Sequence, residues 1–430
     1  MNQPDSGKST PEKLTDDTIP PVETISDKVN DLEKAPDGGL RAWLTTAGTA
    51  FTFFAALGFA NSFGVFQEYY LSHQLKGHPA DKVAWIGSLS TFLQLAAGAV
   101  GGPLFDRYGA WVIRPAAVLY VFALMMISLC EQYWQFMLAQ GVLLGISMGS
   151  LQFPSMAAVM QYFDKNIAAA LGAAVAGSSI GGVVIPIALS KMLNSTSLGF
   201  GWSVRIIGFV VTPLLAFSCL TVKARLPPRK TSFYILSAFT KIDFCLLVAA
   251  MFFMFFGFFT PLFYIPSYAV TRGMDATLAS YLLAILNAAS TFGRVIPGIL
   301  ADKFGRLNVL STGGIITGII IFCMNKPESN PALIVYSIIF GFWSGTIISG
   351  ATAALSILIP DPRTTGTYLG MALGISSMAA LIGPPVNGVL VTKYNGFFEV
   401  SLLSGATCTF GGLLALAIKT QKPEGLLGRV

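Results

Sequence analysis

The feature that most constrains this chain is a series of long apolar blocks separated by short polar connections. A helix needs about 20 apolar residues to cross a bilayer, whereas a membrane β-strand alternates over about ten residues. Only 11% of the residues are charged, against about 25% in soluble domains. The sequence therefore predicts an all-α membrane protein with twelve transmembrane helices. The predicted segments are 43–66, 83–105, 111–130, 134–160, 167–190, 201–222, 243–269, 278–301, 308–325, 331–358, 365–391 and 397–418.

The chain ends and one connection differ from the apolar blocks. Residues 1–36 are rich in charged residues, Ser, Thr and Pro and contain no aromatic residue, which predicts a disordered tail. The longest connection, 223–242, is rich in Lys, Arg and Pro. It is predicted to be a linker between an N-terminal six-helix bundle, 37–222, and a C-terminal six-helix bundle, 243–419. A short second tail, 420–430, follows.

The distribution of Lys and Arg predicts the orientation. With the N-terminus inside, the inner tails and loops hold 19 of the 27 basic residues and the outer loops hold seven. Because basic residues accumulate on the cytoplasmic side, both tails are predicted to be cytoplasmic. The membrane is expected to be the cell membrane, with the vacuolar membrane as the alternative. Asn194-Ser195-Thr196 matches a weak glycosylation pattern on an outer loop.

The two halves of the sequence repeat. A loop from Gly102 to Gly109, with Asp106 and Arg107, is matched 196 positions later by a loop that contains Asp302 and Lys303. Segments five and eleven match at an offset of 198. Two parallel six-helix repeats are typical of secondary transporters. Segments four and ten are predicted to match at an offset of 200, which pairs Gly141 with Gly341 and Gly145 with Gly345.

These loops carry a resemblance to a known family. The repeated pattern Gly-x-Leu-x-Asp-Arg/Lys-x-Gly resembles the conserved cytoplasmic loop of the major facilitator superfamily. The motif Asp37-Gly-Gly-Leu-Arg-Ala-Trp43 and the stretch from Asn61 to Tyr70 resemble its monocarboxylate-porter-like family, especially fungal members. The resemblance implies a secondary transporter that works by alternating access.

The resemblance also implies a gate. In the superfamily, the loop aspartate is thought to latch onto a helix of the opposite half, here starting near Thr364 or Asn166. The latch would hold the outward-open state. The predicted gating residues are Asp106, Arg107, Asp302, Lys303 and Arg306.

Arg294 is the main candidate for solute binding. It precedes Asp302 by eight residues, so it lies about 12 Å along the helix from the cytoplasmic end. A charge at that depth is costly and usually functional, and the repeat has Gly98 at the equivalent position. No Asp or Glu lies in the middle third of any predicted segment. Arg294 is therefore predicted to bind an anionic group of the solute; the alternative is an arginine that snorkels or bonds helix carbonyls.

Further candidates for the solute site follow from position and from the resemblance. Asn287 is seven residues before Arg294, on the same helix face, with Ser290 between them. Animal relatives carry a lysine in segment one and an aspartate in segment eight for lactate and proton coupling, where this chain has Asn61 and Ser290. Lactate–proton symport is therefore not expected. Tyr264 belongs to a set of aromatic residues in segments one and seven that would suit a bulky solute.

The function predicted from these residues is export of a secondary metabolite or organic anion. Uptake of a monocarboxylate or vitamin-like nutrient is the alternative, and a non-transporting nutrient receptor on the same fold is an alternative of another class. The five cysteines show no metal-site spacing. We expect no enzymatic activity, cofactor, metal or nucleic-acid partner. The expected partners are a small organic solute and the lipid bilayer, and the chain is expected to be a monomer.

Overall fold

A computed structural model describes residues 35–78, 80–227 and 233–421. Most of the predicted N-terminal tail and the end of the predicted C-terminal tail lie outside the described residues. The described residues belong to one compact unit. The division into two bundles at the linker stays a prediction.

The described residues contain twelve membrane spans. Eleven helical stretches are long and apolar enough to cross a membrane, and one of them, Lys82–Ile127, is 46 residues long. A helix of that length would measure about 70 Å, more than twice the hydrocarbon thickness. This stretch turns at Gly109, which has a φ of 66°, and so makes two crossings. The predicted all-α fold with twelve transmembrane helices is confirmed.

The bounds of the spans are as follows: span 1, Leu40–Ala60 and Phe63–Ser72; span 2, Ala80–Ala96 and Gly98–Tyr108; span 3, Ile113–Ile127; span 4, Tyr133–Phe136, Met137–Leu144 and Gly145–Met160; span 5, Ile167–Ser195; span 6, Gly199–Thr221; span 7, Ile242–Thr271; span 8, Ala276–Phe304; span 9, Arg306–Phe322; span 10, Asn330–Ile357; span 11, Thr365–Tyr394; span 12, Phe398–Lys419. Short 3-10 helices cover Gly109–Val112, Leu236–Thr240, Cys323–Asn325 and Pro362–Thr364.

Three spans of the first half depart from regular helix. Span 1 is interrupted at Asn61 and Ser62 and then continues to Ser72, beyond the predicted end at residue 66. Span 2 is interrupted at Ala97, just before a stretch rich in Gly and Pro, which are poor helix formers. Span 4 contains a π-helical segment, Met137–Leu144. Interrupted helices and π-turns are frequent at the binding sites of transporters.

We call spans 1–6 the first half and spans 7–12 the second half. Glycines bring the two halves together at two equivalent interfaces. At the first, between spans 2 and 11, a Cβ atom at Gly370 would overlap the carbonyl oxygen of Gly98. At the second, between spans 5 and 8, a Cβ atom at Gly172 would overlap the carbonyl oxygen of Arg294. We call these the 2–11 interface and the 5–8 interface. Such close backbone approach is how membrane helices pack without a hydrophobic driving force.

The predicted offset between spans 4 and 10 is wrong by one helical turn. A Cβ atom at Gly149 would overlap the carbonyl oxygen of Gln94, and a Cβ atom at Gly345 would lie 2.7 Å from that of Ser290. Gly149 is therefore equivalent to Gly345, at the same offset of 196 that relates Gln94 to Ser290. Glycines spaced four residues apart share a helix face, so their pattern looks alike after a slip of one turn.

Candidate functional site

Arg294 lies between the two halves of the molecule. Its side chain is buried, with 5% of the residue surface exposed. The Nη1 atom donates a hydrogen bond to the carbonyl oxygen of Val175 at 2.9 Å and another to the hydroxyl of Ser178. Both partners belong to span 5, so the guanidinium of span 8 contacts the opposite half.

The charge of Arg294 has no acidic partner within reach. In the part of the chain that the structure describes, no carboxylate oxygen lies within 4.0 Å of its guanidinium, and its Nε atom has no hydrogen-bond partner. A buried charge is costly unless it is paired and hydrogen-bonded. The contact with the Val175 carbonyl matches the alternative interpretation of this arginine, but it leaves the charge uncompensated. The arrangement can therefore accept an anion.

Asn61 and Asn287 lie close together. A Cβ atom at Gly182 of span 5 would lie 2.6 Å from Nδ2 of Asn61 and 3.0 Å from Cγ of Asn287. Asn61 is exposed at the interruption of span 1, and Asn287 is buried and donates to the carbonyl oxygen of Leu283 at 2.9 Å. Spans 1, 5 and 8 thus meet two helical turns from Arg294.

Ser290 and Tyr264 lie elsewhere around the path. Ser290 is buried between Asn287 and Arg294 on span 8, with its backbone against Gly345 of span 10. The hydroxyl of Tyr264 donates to the carbonyl oxygen of Pro384 at 2.7 Å, within the second half. Its described contacts do not include Arg294.

Three of the aromatic residues of segments one and seven make contacts within the protein. The ring of Phe59 lies 5.1 Å from that of Phe66, and the ring of Phe51 lies 5.4 Å from that of Phe217 in span 6. The hydroxyl of Tyr268 donates to the carbonyl oxygen of Pro327 at 3.0 Å. These rings therefore contribute to packing.

Asp106 lies at the first of two carboxylate contacts between the halves. Its Oδ1 accepts from the backbone N–H of Gly366 at 2.9 Å. Its Oδ2 accepts from the N–H of Thr367 at 2.6 Å and from the Thr367 hydroxyl at 2.7 Å. The carboxylate is buried and faces the first turn of span 11. The free N–H groups and positive dipole of a helix N-terminus favour a negative charge there.

Asp302 makes the equivalent contact at the 5–8 interface. Its two carboxylate oxygens accept from the N–H groups of Ala168 and Ala169, at 3.1 and 2.8 Å, in the first turn of span 5. Arg306 forms an ion pair with Asp302 at 3.4 Å and also donates to the carbonyl oxygen of Asp164. Each loop aspartate thus contacts the start of a helix in the opposite half, and a role in gating stays a prediction.

Arg107 and Lys303 directly follow the two aspartates in the sequence, but both are exposed. The guanidinium of Arg107 lies over the ring of Tyr108 at 5.8 Å. We call the end of the molecule that carries Asp106 and Asp302 the motif end.

The connection between spans 4 and 5 gathers contacts that sequence reasoning missed. The carboxylate of Asp37 accepts from the N–H groups of Asp164 and Lys165 at 2.6 and 2.7 Å. The Nε of Arg225 donates to the carbonyl oxygen of Gln161 at 2.7 Å. Partial burial lowers the pKa of the Arg225 guanidinium below its ordinary value. The only sequence signals were that Asp37 begins a motif with no assigned contact and that Arg225 lies in the connection rich in Lys, Arg and Pro.

Comparisons with known proteins decide the family. The family profile of the Major Facilitator Superfamily matches residues 49–303 and 284–428. The chain belongs to the Major Facilitator Superfamily. The monocarboxylate-porter-like branch stays a prediction.

Several fungal proteins are similar over most of the chain. The Aspyridones efflux protein apdF of Emericella nidulans is 49% identical over 392 residues, which cover 91% of this chain and 80% of that protein. The MFS-type transporter pynF of Aspergillus niger is 39% identical, covering 87% of this chain and 89% of that protein. The Agnestins efflux protein AgnL12 of Paecilomyces divaricatus is 36% identical, covering 90% and 89%. These relatives confirm a multi-pass membrane transporter rather than an enzyme.

Solved structures share the fold at low sequence identity. FucP in its outward conformation has a TM-score of 0.70 and 15% identity, covering 87% of this chain and 98% of that one. The human organic anion transporter MFSD10 has a TM-score of 0.67 and 13% identity, covering 89% and 99%. At this identity the likeness shows the fold alone.

Asn194 lies at the end of span 5, opposite the motif end. It is exposed, and its Nδ2 lies 3.5 Å from the hydroxyl of Ser190. Use of Asn194 as a glycosylation site stays a prediction.

Proposed function

We propose that this transporter exports a small organic anion, of the kind produced by secondary metabolism, and that Arg294 binds its anionic group. The observation that carries the proposal is the buried guanidinium, which has no acidic partner among the described residues. The names of two similar fungal proteins, efflux proteins for aspyridones and agnestins, support the direction of transport.

Asn61, Asn287 and Ser290 are proposed to line the path beyond Arg294. They offer neutral donors and acceptors for the polar groups of a solute while Arg294 provides the charge. The hydroxyl of Tyr264 donates to the carbonyl oxygen of Pro384, and Tyr264 is proposed to line the solute path on the side of the second half. This set has no acidic side chain, so it gives no support to proton coupling.

The motif end is proposed to face the cytoplasm, as the excess of basic residues on that side indicates. In this orientation the described conformation is closed towards the cytoplasm by the contacts of Asp106 and Asp302 with spans 11 and 5. Breaking them would let the two halves separate at that end. We propose that the protein works as a monomer in the cell membrane.

The test uses full-length protein in proteoliposomes and radiolabelled 2-naphthoate, an aromatic monocarboxylate, as the probe. Arg294→Ala is expected to reduce saturable naphthoate flux by roughly 10- to 100-fold, because a charge-assisted hydrogen bond contributes about 1.5–3 kcal/mol. Arg294→Lys should keep part of the flux, since a point charge binds carboxylate without the bidentate geometry.

Arg205→Ala is the matched control. Arg205 is a partly buried arginine of span 6 whose Nε donates to Ser128 at 3.0 Å, near the end opposite the motif end. Its loss should change naphthoate flux less than twofold. Equal flux in the Arg294→Ala and wild-type proteins, at equal incorporation, would remove Arg294 from the site. For direction, cells that express the wild-type chain should accumulate less naphthoate than cells that express Arg294→Ala.

A further inference from the structure

A pair of buried glutamine side chains lies in the first half. Gln94 of span 2 and Gln152 of span 4 are 1% and 3% exposed. The Nε2 of Gln94 donates to the Oε1 of Gln152 at 3.0 Å. Neither the Oε1 of Gln94 nor the Nε2 of Gln152 has a hydrogen-bond partner among the described residues. The pair therefore leaves one acceptor and one donor unused.

The two buried polar atoms without hydrogen-bond partners lower the free energy of unfolding. An unsatisfied buried group costs about 1–3 kcal/mol unless water or a ligand forms a hydrogen bond with it. Two facing amides can satisfy each other by forming two hydrogen bonds, but this pair forms one. A pair that only holds spans 2 and 4 together has no need of the unused atoms.

The position of the pair links it to the solute path. Gln94 precedes Gly98 by one helical turn, and Gly98 contacts Gly370 at the 2–11 interface. The interruption of span 2 at Ala97 falls between them. By the offset of 196 residues, Gln94 is equivalent to Ser290, which lies one turn before Arg294. The first half thus presents an amide pair where the second half presents the serine of the candidate solute site.

We propose that Gln94 and Gln152 bind a neutral group of the solute that carries a hydrogen-bond donor next to an acceptor. A lactam, a primary amide or an un-ionised carboxylic acid has this pattern. The donor of the solute would bond to Oε1 of Gln94, and its acceptor would receive the N–H of Gln152. The inference rests on the proposed function, and it adds that the exported anion carries such a group at a distance from its charge.

The probes are 2-quinolone, which is an aromatic lactam, and N-methyl-2-quinolone, which has the same ring but lacks the donor. Binding of each is measured to full-length protein in nanodiscs. The wild-type protein is expected to bind the lactam about tenfold or more tightly than the N-methyl compound. In Gln94→Leu this ratio should fall to about one. Gln152→Leu should weaken the binding of both compounds about tenfold, because both keep the carbonyl that accepts from Gln152.

Two further variants control the experiment. Gln140→Leu removes another buried glutamine of span 4, whose Oε1 accepts from the hydroxyl of Tyr70 at 2.7 Å, and it should keep the wild-type ratio. Gln152→Met removes the donor at similar size and adds no charge, and it provides a second measurement if Gln152→Leu fails to fold. It should weaken the binding of both compounds as Gln152→Leu does.

The outcomes separate this inference from the proposed function. A ratio near one in the wild-type protein, no saturable lactam binding, a ratio unchanged by Gln94→Leu, or a lactam affinity unchanged by Gln152→Leu would each overturn the amide site. Those results would indicate that the pair binds water only. Naphthoate flux measured on Arg294→Ala in parallel decides the proposed function independently, because 2-naphthoate carries no donor at neutral pH.

Discussion

The contact between Asp106 and span 11 leads to a quantitative prediction for Asp106→Asn. In the variant, one carboxylate oxygen becomes an amino group, which cannot accept from the N–H it faces. At least one of the hydrogen bonds from Gly366 and Thr367 is lost, at about 1.5–3 kcal/mol, together with the attraction of a charge to the helix N-terminus, about 0.3–2 kcal/mol. The contact joins the two halves at the motif end, so the loss is expected to act on the conformation that is closed there.

The expected result is a shift of about 2–5 kcal/mol towards the conformation that is open at the motif end. This corresponds to roughly a 30- to 4,000-fold change in the ratio of open to closed molecules. Because Asp106 is buried, added salt should weaken the effect of the substitution only slightly.

Pulsed electron spin resonance measures this shift. Spin labels at Tyr108→Cys and Pro362→Cys, both at exposed positions on opposite sides of the 2–11 interface, report the distance between the halves. The exposed Cys323 is replaced by serine in all samples. The long-distance population should increase in Asp106→Asn.

Asp275→Asn is the matched control. Asp275 precedes span 8 at the other end and accepts from the N–H of Leu278 at 3.2 Å, and this contact lies within one half. It should leave the distance distribution unchanged. If Asp106→Asn also leaves the distribution unchanged, the carboxylate does not hold the motif end closed.

Two further predictions concern the motif end. Gly172→Ala should reduce transport several-fold, because its methyl group would overlap the carbonyl oxygen of Arg294. Gly64→Ala is the control and should not reduce transport, since no atom lies within 4 Å of the added methyl group. Equal flux in the two variants would argue against close backbone contact at the 5–8 interface. Asp37→Ala should lower the free energy of unfolding by about 1 kcal/mol and lower the melting temperature in detergent, because the N–H groups of Asp164 and Lys165 lose their acceptor. Ser72→Ala, at an exposed hydroxyl that bonds within its own helix, is the control. Equal melting temperatures for the wild-type protein and both variants would contradict the prediction.

The sequence predicted the spans well because the bilayer imposes a length on every helix. It also identified the loop aspartates and the helix starts that they contact, since a repeated motif limited the choices. The equivalence of spans 4 and 10 was wrong because glycines four residues apart fit two registers. The interruption at Asn61 and the partners of Arg294 on span 5 were not predictable, because they depend on how helices of different halves pack. The Gln94–Gln152 pair gave no signal in the sequence, since the residues are 58 positions apart.

The two equivalent interfaces are held with unequal strength, and this has a consequence for how the molecule opens. Asp106 and its three hydrogen bonds to span 11 are buried. At the 5–8 interface the hydrogen bonds of Asp302 are partly buried and the one from Arg306 to Asp164 is exposed, so water competes with them. An even, scissor-like parting of the halves is therefore not expected. The 5–8 interface, beside Arg294, should separate first, so that water reaches the guanidinium from that side while the 2–11 interface still acts as the hinge. The opening at the motif end would then start at the 5–8 interface and widen only afterwards.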